Sequence, residues 1–174
     1  LFSRMGGLGD IRETGSGNIG ATNVLRSGNK LLAALTLLTD AAKGSVAIFI
    51  ALDLVGFPAT YWAGLAALLG HVFPVWLGFK GGKGVAVFIG TGIVLSPLPG
   101  LSMLSVWLLV ALIFRRSSLA ALVATLSVPL YMAVLGEIYG ALVVGVQVGV
   151  IYWAHRDNIS RLRKGQEPRI GQSA

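Results

Sequence analysis

Gly70-His71-Val72-Phe73-Pro74-Val75-Trp76-Leu77-Gly78-Phe79-Lys80-Gly81-Gly82-Lys83-Gly84-Val85-Ala86 joins two apolar runs through a turn that sets two lysines among glycines. Both runs are fit to enter a bilayer, so the polar turn between them has to sit at the membrane boundary. Glycine permits positive φ and lets the backbone approach a ligand closely. Successive N–H groups in such a turn form a concavity for anions, and lysine adds a point charge. The stretch predicts a helical membrane protein that holds a phosphate-sized anion at one surface of the bilayer.

The rest of the chain agrees. Of its 174 residues 55% are hydrophobic and 12% are charged, where soluble domains carry about a quarter charged. Apolar spans run over about 31–55, 59–77, 84–96, 101–114, 117–135 and 138–153. The third falls short of the roughly 20 residues that a crossing helix needs. Helices satisfy their own backbone in lipid. The expected fold is therefore all-α, a polytopic transmembrane helical bundle of six spans, forming a single domain over 1–174. Residues 1–4 look like the tail of an apolar segment, which leads us to expect a further, first span and seven in all.

The formal charge of +7 invites a nucleic-acid reading. That reading fails, because the basic residues are divided among short loops at 4–30, 80–83, 115–116 and 156–169. The alternate turns, near 54–58, 96–100 and 135–139, carry none. The positive-inside rule makes the basic side cytoplasmic, and Trp62, Trp76, Tyr152 and Trp153 fall near span ends as an aromatic belt requires. The lack of cysteine excludes disulfides, thiol nucleophiles and thiolate metal sites. With only His71 and His155, no metal site is expected.

Four blocks carry candidate chemistry. Gly15-Ser16-Gly17-Asn18-Ile19-Gly20-Ala21-Thr22-Asn23-Val24-Leu25-Arg26 contains a formal G-x-G-x-x-G, with Asp40 at the distance of a ribose-binding acid. A dinucleotide fingerprint needs a strand before it and a βαβ unit around it, and neither is present. A loop with an N-cap at Thr22 or Asn23 is one reading. The favoured one places a phosphate at a helix N-terminus, using Gly15, Ser16, Gly17, Asn18, Thr22, Asn23 and Arg26. In the second block, Asp40-Ala41-Ala42-Lys43-Gly44, Asp40 and Lys43 share a helix face and can pair. That pairing has a structural reading and a functional one, and the sequence leaves both open.

In the third block, Lys83 with Gly81, Gly82 and Gly84 is the preferred phosphate site. It is not a Walker A loop, because Gly84 occupies the Ser/Thr position that Mg²⁺ would need. Lys80 snorkels or marks topology, and His71 is expected to satisfy a carbonyl near the Phe73-Pro74 kink. The fourth block is His155-Arg156-Asp157-Asn158-Ile159-Ser160-Arg161-Leu162, in which His155 and Asn158 aim the same way at i and i+3. Between spans, Arg115-Arg116-Ser117-Ser118 reads as a turn with a serine N-cap, from which Ser118 can face a phosphate. Gly145 and Gly149 form a small-xxx-small pair suited to helix packing.

In that order, blocks 15–26, 40–44, 70–86 and 155–162 resemble the bacterial membrane glycerol-3-phosphate acyltransferases that use acyl-phosphate, the PlsY family. The resemblance implies transfer of a fatty acyl group to the 1-hydroxyl of glycerol 3-phosphate, giving lysophosphatidate and phosphate in the inner membrane. It implies a seven-span bundle with cytoplasmic motif loops. The partners are the two substrates and membrane lipid, with no cofactor, nucleic acid or obligatory protein partner. Acyl-phosphate is already activated, so the protein need only position it and stabilise charge on the departing phosphate. Lys83, Ser16 and His155 are the catalytic candidates. Ser16, Asn18 and the glycine turn with Lys83 are assigned to the donor phosphate. Arg26, Lys83, Ser118, His155 and Asn158 gather the acceptor. The His-x4-Asp signature of soluble-donor acyltransferases is missing, since Trp76 and Ser160 stand where the aspartate would. The alternative is a transporter of a small phosphorylated anion. Polar groups gathered at one surface, not strung across the bilayer, favour the enzyme.

Overall fold

The structure is a computed structural model that describes residues 17–170, and among these it contains helices, turns and loops but no strand. A short α1, Ala21–Arg26, leads into α2, Lys30–Leu54; α3 is Ala59–Val72, followed by a 3₁₀ turn at Val75–Leu77. Then come α4, Val85–Leu95; α5, Pro97–Phe114; α6, Ser117–Val134; α7, Ile138–Ala154; and α8, Arg156–Arg163. Local chemistry sets several of these boundaries. Asn29 caps α2, its side-chain oxygen accepting from Leu32 N at 3.0 Å, and Pro97 opens α5 at the position where a missing N–H costs nothing. Two expected caps are displaced. The N-cap of α1 is Gly20 and that of α6 is Arg116, neither with a side-chain bond; extended backbone alone starts these helices.

Among the described residues four helices, Lys30–Leu54, Ala59–Leu77, Pro97–Phe114 and Ser117–Val134, are long and apolar enough to cross a membrane. A fifth is reached when α7 and α8, bent by 65°, are taken as one broken span. The protein is thus an all-helical membrane protein, with four to five candidate spans among the described residues. α4 has 11 residues, and its place in the bundle explains why so short a helix is tolerated. It packs against α2, α3, α5 and α6, and its Val87 and Phe88 are fully buried in the main core with Leu68, Met103, Val128 and Ile151.

Small residues bring α4 close to its neighbours. A methyl group on Gly90 would collide with Ala41 O, and one on Gly44 would sit 2.7 Å from Val87 O. Ser45 Oγ donates to Gly90 O at 3.1 Å across the same contact. By contrast, a methyl at Gly145 or Gly149 would meet nothing within 4 Å. The packing role expected of that pair falls instead to Gly44, Gly90 and Gly100.

Candidate active site

The glycine-rich turn is built against the end of α3. After Pro74, Gly78 and Phe79 both adopt positive φ, 60° and 61°, a conformation costing a non-glycine residue roughly 1–2 kcal/mol. The chain then returns along α3. Gly81 N–H donates to Val72 O at 3.1 Å and Gly82 N–H to His71 O at 3.2 Å, occupying carbonyls that the helix end leaves over. These two N–H groups are therefore not free to cradle an anion, contrary to the expectation from the glycine spacing. Their lack of side chains serves packing. A methyl at Gly81 would strike His71 O, one at Gly82 the His71 ring, and one at Gly84 (φ +81°) the Leu68 side chain. An anion is left with Lys83 and the opening N–H groups of α4, which follow immediately.

Lys83 starts a chain of charged and amide groups. Its Nζ donates to Asn158 Oδ1 at 2.5 Å, and Asn158 Nδ2 donates to Glu167 Oε1 at 2.6 Å. Arg161 Nε donates to Glu167 Oε2 at 2.7 Å. A cation on one side and a carboxylate on the other fix the orientation of the Asn158 amide. Burial pulls the Lys83 pKa down to about 8; Glu167 opposes the shift, and Arg161 and Arg26 add to it. For Glu167 burial works upward, but the nearby Ser118 hydroxyl and the hydrogen bonds from Asn158 and Arg161 prevail and hold its carboxyl below the usual range. Ser118 Oγ acts there by proximity, since it makes no well-formed hydrogen bond.

His155 lies at the bend between α7 and α8 and is buried. Its Nδ1 is 2.8 Å from Ile151 O. A carbonyl only accepts, so Nδ1 carries the hydrogen and Nε2 keeps the lone pair. Burial, with the Lys83 charge second, pulls the His155 pKa down to about 4, which makes the ring a neutral hydrogen-bond acceptor near pH 7.

A cavity of about 230 Å³ opens beside these groups and is lined by Gly17, Asn18, Gly81, Gly82 and Lys83 together with Phe79, Trp153 and Asp157. It unites residues expected from two distant blocks. Arg26 is near enough for its charge to act on Lys83. Asn23 is buried in α1, whereas Thr22 is exposed. Gly15 and Ser16 lie outside the described residues. A larger cavity on the outer side of α2, about 470 Å³ and lined by Thr39, Ala42, Lys43, Val46, Ala47 and Ile50, belongs to one helix and is mainly apolar.

Two residues of this region were not anticipated as site residues. Glu167 is buried because the tail folds back, with Ile170 N–H donating to Arg115 O at 2.6 Å; in the sequence it is one acid in a basic tail. Arg116, a topology signal in the sequence, has a buried Nε without a hydrogen-bond partner among the described residues, as has Ser118 Oγ two residues on. Buried donors of this kind are uncommon and call for a partner. His71 does not satisfy a carbonyl: its Nδ1 faces Asp40 Oδ1 at 3.7 Å, and Asp40 in turn pairs with Lys43 at 2.5 Å as expected.

Comparison with known proteins gives a consistent picture. The family model for Glycerol-3-phosphate acyltransferase matches residues 1–165. A glycerol-3-phosphate acyltransferase from Agrobacterium fabrum (strain C58 / ATCC 33970) is 55% identical over 172 residues, covering 99% of this chain and 84% of that protein. One from Jannaschia sp. (strain CCS1) is 53% identical over 174 residues, covering 100% and 86%. Among solved structures, PlsY (YgiH), an integral membrane glycerol 3-phosphate acyltransferase, in its glycerol 3-phosphate form superposes with a TM-score of 0.90 at 39% identity, covering 98% of this chain and 88% of that one. Its lysophosphatidic acid form gives 0.84 at 40% identity, covering 90% and 81%.

Proposed function

We propose, from the premise that this chain belongs to the glycerol-3-phosphate acyltransferase family, that its acyl donor is acyl-phosphate and that the reaction is centred on Lys83. The protein is a glycerol-3-phosphate acyltransferase that makes lysophosphatidate. The observation that carries the finer reading is the meeting of Lys83 with Asn158, next to a neutral His155 and a small polar cavity. That site suits a compact anion.

In the reaction the 1-hydroxyl oxygen of glycerol 3-phosphate attacks the acyl carbonyl carbon. The carbon–oxygen bond to the donor phosphate breaks, and inorganic phosphate leaves with the bonding pair. Lys83, with Ser16 and Asn18, stabilises the leaving phosphate. Arg26, Ser118, His155 and Asn158 hold the acceptor, with Lys83 shared between the two sites. The hydroxyl proton passes to the acceptor's own phosphate dianion, whose second pKa is about 6. A His155 pulled down to about 4 is poorly matched to obligatory base catalysis; its Nε2 lone pair orients the hydroxyl instead. The acyl tail lies between spans.

We further infer one domain throughout, with α4 and α7 as crossings that bring the total here to six, in a bacterial inner membrane with the basic loops cytoplasmic. The donor is tested with purified protein in lipid, supplied with labelled glycerol 3-phosphate and either acyl-phosphate or acyl-CoA. Lysophosphatidate and phosphate should appear in equal amounts from acyl-phosphate alone. Sustained product from acyl-CoA, free of acyl-phosphate, overturns the donor assignment.

A further inference from the structure

The block Asp40-Ala41-Ala42-Lys43-Gly44 and His71 have no part in the chemistry above, yet they are organised around the same loop. α2 lies against α4 through Gly44 and Gly90, and this contact brings Asp40, buried, to the end of α3. There the His71 ring stands between two partners. Its Nδ1 faces Asp40 Oδ1 at 3.7 Å, while its Nε2 lies over Gly82, so close that a methyl group on that residue would collide with it. The His71 carbonyl accepts the Gly82 N–H at 3.2 Å. Gly82 is thus held by His71 from two directions, and the next residue is Lys83.

We propose that Asp40 and His71 are positioning residues, a brace that fixes the height and tilt of the Gly81-Gly82-Lys83 turn so that the Lys83 ammonium meets its phosphate. Neither residue touches substrate; they act through the loop. The physical need is plain. The turn hangs from α3 by two hydrogen bonds, and its glycines supply no side chains to lock it. Lys83 also donates to Asn158 on the neighbouring helix. A rigid ring seated on Gly82, and facing a carboxylate that Lys43 keeps paired, limits the remaining freedom. Misplacing a charged group by about 1 Å can cost about 10²-fold in rate.

This inference rests on the assignment of Lys83 to a substrate phosphate, and the experiment separates the two. Native enzyme, His71→Gln, His71→Asn and Asp40→Asn are purified in lipid, and kcat and KM are measured with the melting temperature. The Gln amide reaches the Nε2 position over Gly82, whereas the Asn amide reaches only toward Asp40. The brace predicts that His71→Gln stays within about fivefold of native kcat/KM while His71→Asn loses about 10²-fold, both melting within a few degrees of native. Equal losses, or an Asn variant more active than Gln, overturn it. Should His71→Asn fail to fold, Asp40→Asn decides, since it changes almost no volume. A several-fold loss in kcat/KM at unchanged melting temperature supports the brace, and an unchanged kcat/KM overturns it. A Lys83→Ala control that keeps native activity would instead refute the phosphate assignment on which the inference stands.

Discussion

At the scale of single residues, Lys83 and Lys80 make the sharpest contrast. They are three positions apart in one glycine-rich turn, but Lys83 is partly buried against Asn158 and Lys80 is exposed. Lys83→Ala should cost about 10²–10³ in kcat, the typical loss when a group stabilising developing charge is removed. Lys80→Ala should cost far less. Steady-state rates on folded protein check this, and a Lys80 loss exceeding that of Lys83 would reverse the roles. The pH profile follows from the same lysine. Its free-enzyme pKa of about 8 means that kcat/KM falls above pH 8 as the ammonium deprotonates. Bound phosphate favours the charged form, so the corresponding limb of kcat lies at higher pH. Glu167 raises the Lys83 pKa, so Glu167→Gln should move the kcat/KM limb below 8. On the acid side a limb near pH 6, belonging to the acceptor phosphate, should persist in His155→Gln; its disappearance together with a loss of about 10²–10⁴ would make His155 the base.

The element scale is where the sequence was most and least legible. Long apolar runs between polar turns disclosed α2, α3, α5, α6 and α7, because lipid demands that pattern of any crossing helix. The i, i+3 spacing of His155 and Asn158 marked the α7–α8 junction, but not the 65° bend there. The glycines were legible as necessary, but the packing against α3 that also requires them was not. Spacing cannot distinguish a backbone that approaches a ligand from one that approaches a neighbouring helix, and at Gly81, Gly82 and Gly84 the neighbour is α3. Glu167 was invisible because its burial depends on a return of the tail that no local pattern encodes. The same limit explains Gly145 and Gly149, whose spacing suits packing although a methyl there would meet none of the described residues within 4 Å. These differences predict stabilities. Gly90→Ala drives a methyl into the Ala41 carbonyl and should destabilise by about 1–3 kcal/mol, the usual cost of overpacking. Gly145→Ala, in open space, should leave the melting temperature unchanged or raise it slightly. Thermal melting of the two variants in one detergent checks this, and equal effects would contradict the α2–α4 contact.

On the scale of the whole molecule, the four basic segments converge. Arg26 acts on Lys83, Lys83 touches Asn158, and the tail beyond Asn158 returns to Arg115. A bundle whose polar groups assemble at one end can carry out chemistry on a lipid and a soluble anion without moving either across the bilayer. We therefore propose one site at that end of the bundle, on the face that the positive-inside rule would make cytoplasmic. Its most direct test uses the protein reconstituted into sealed vesicles, with acyl-phosphate in the membrane and labelled glycerol 3-phosphate outside only. The chain has no native cysteine, so active Ser27→Cys and Leu98→Cys variants report which end faces outward. Labelled lysophosphatidate should form in proportion to the vesicles whose Ser27 end is outside. Product that instead follows the Leu98 end, or label that accumulates in the lumen without lipid product, would contradict it.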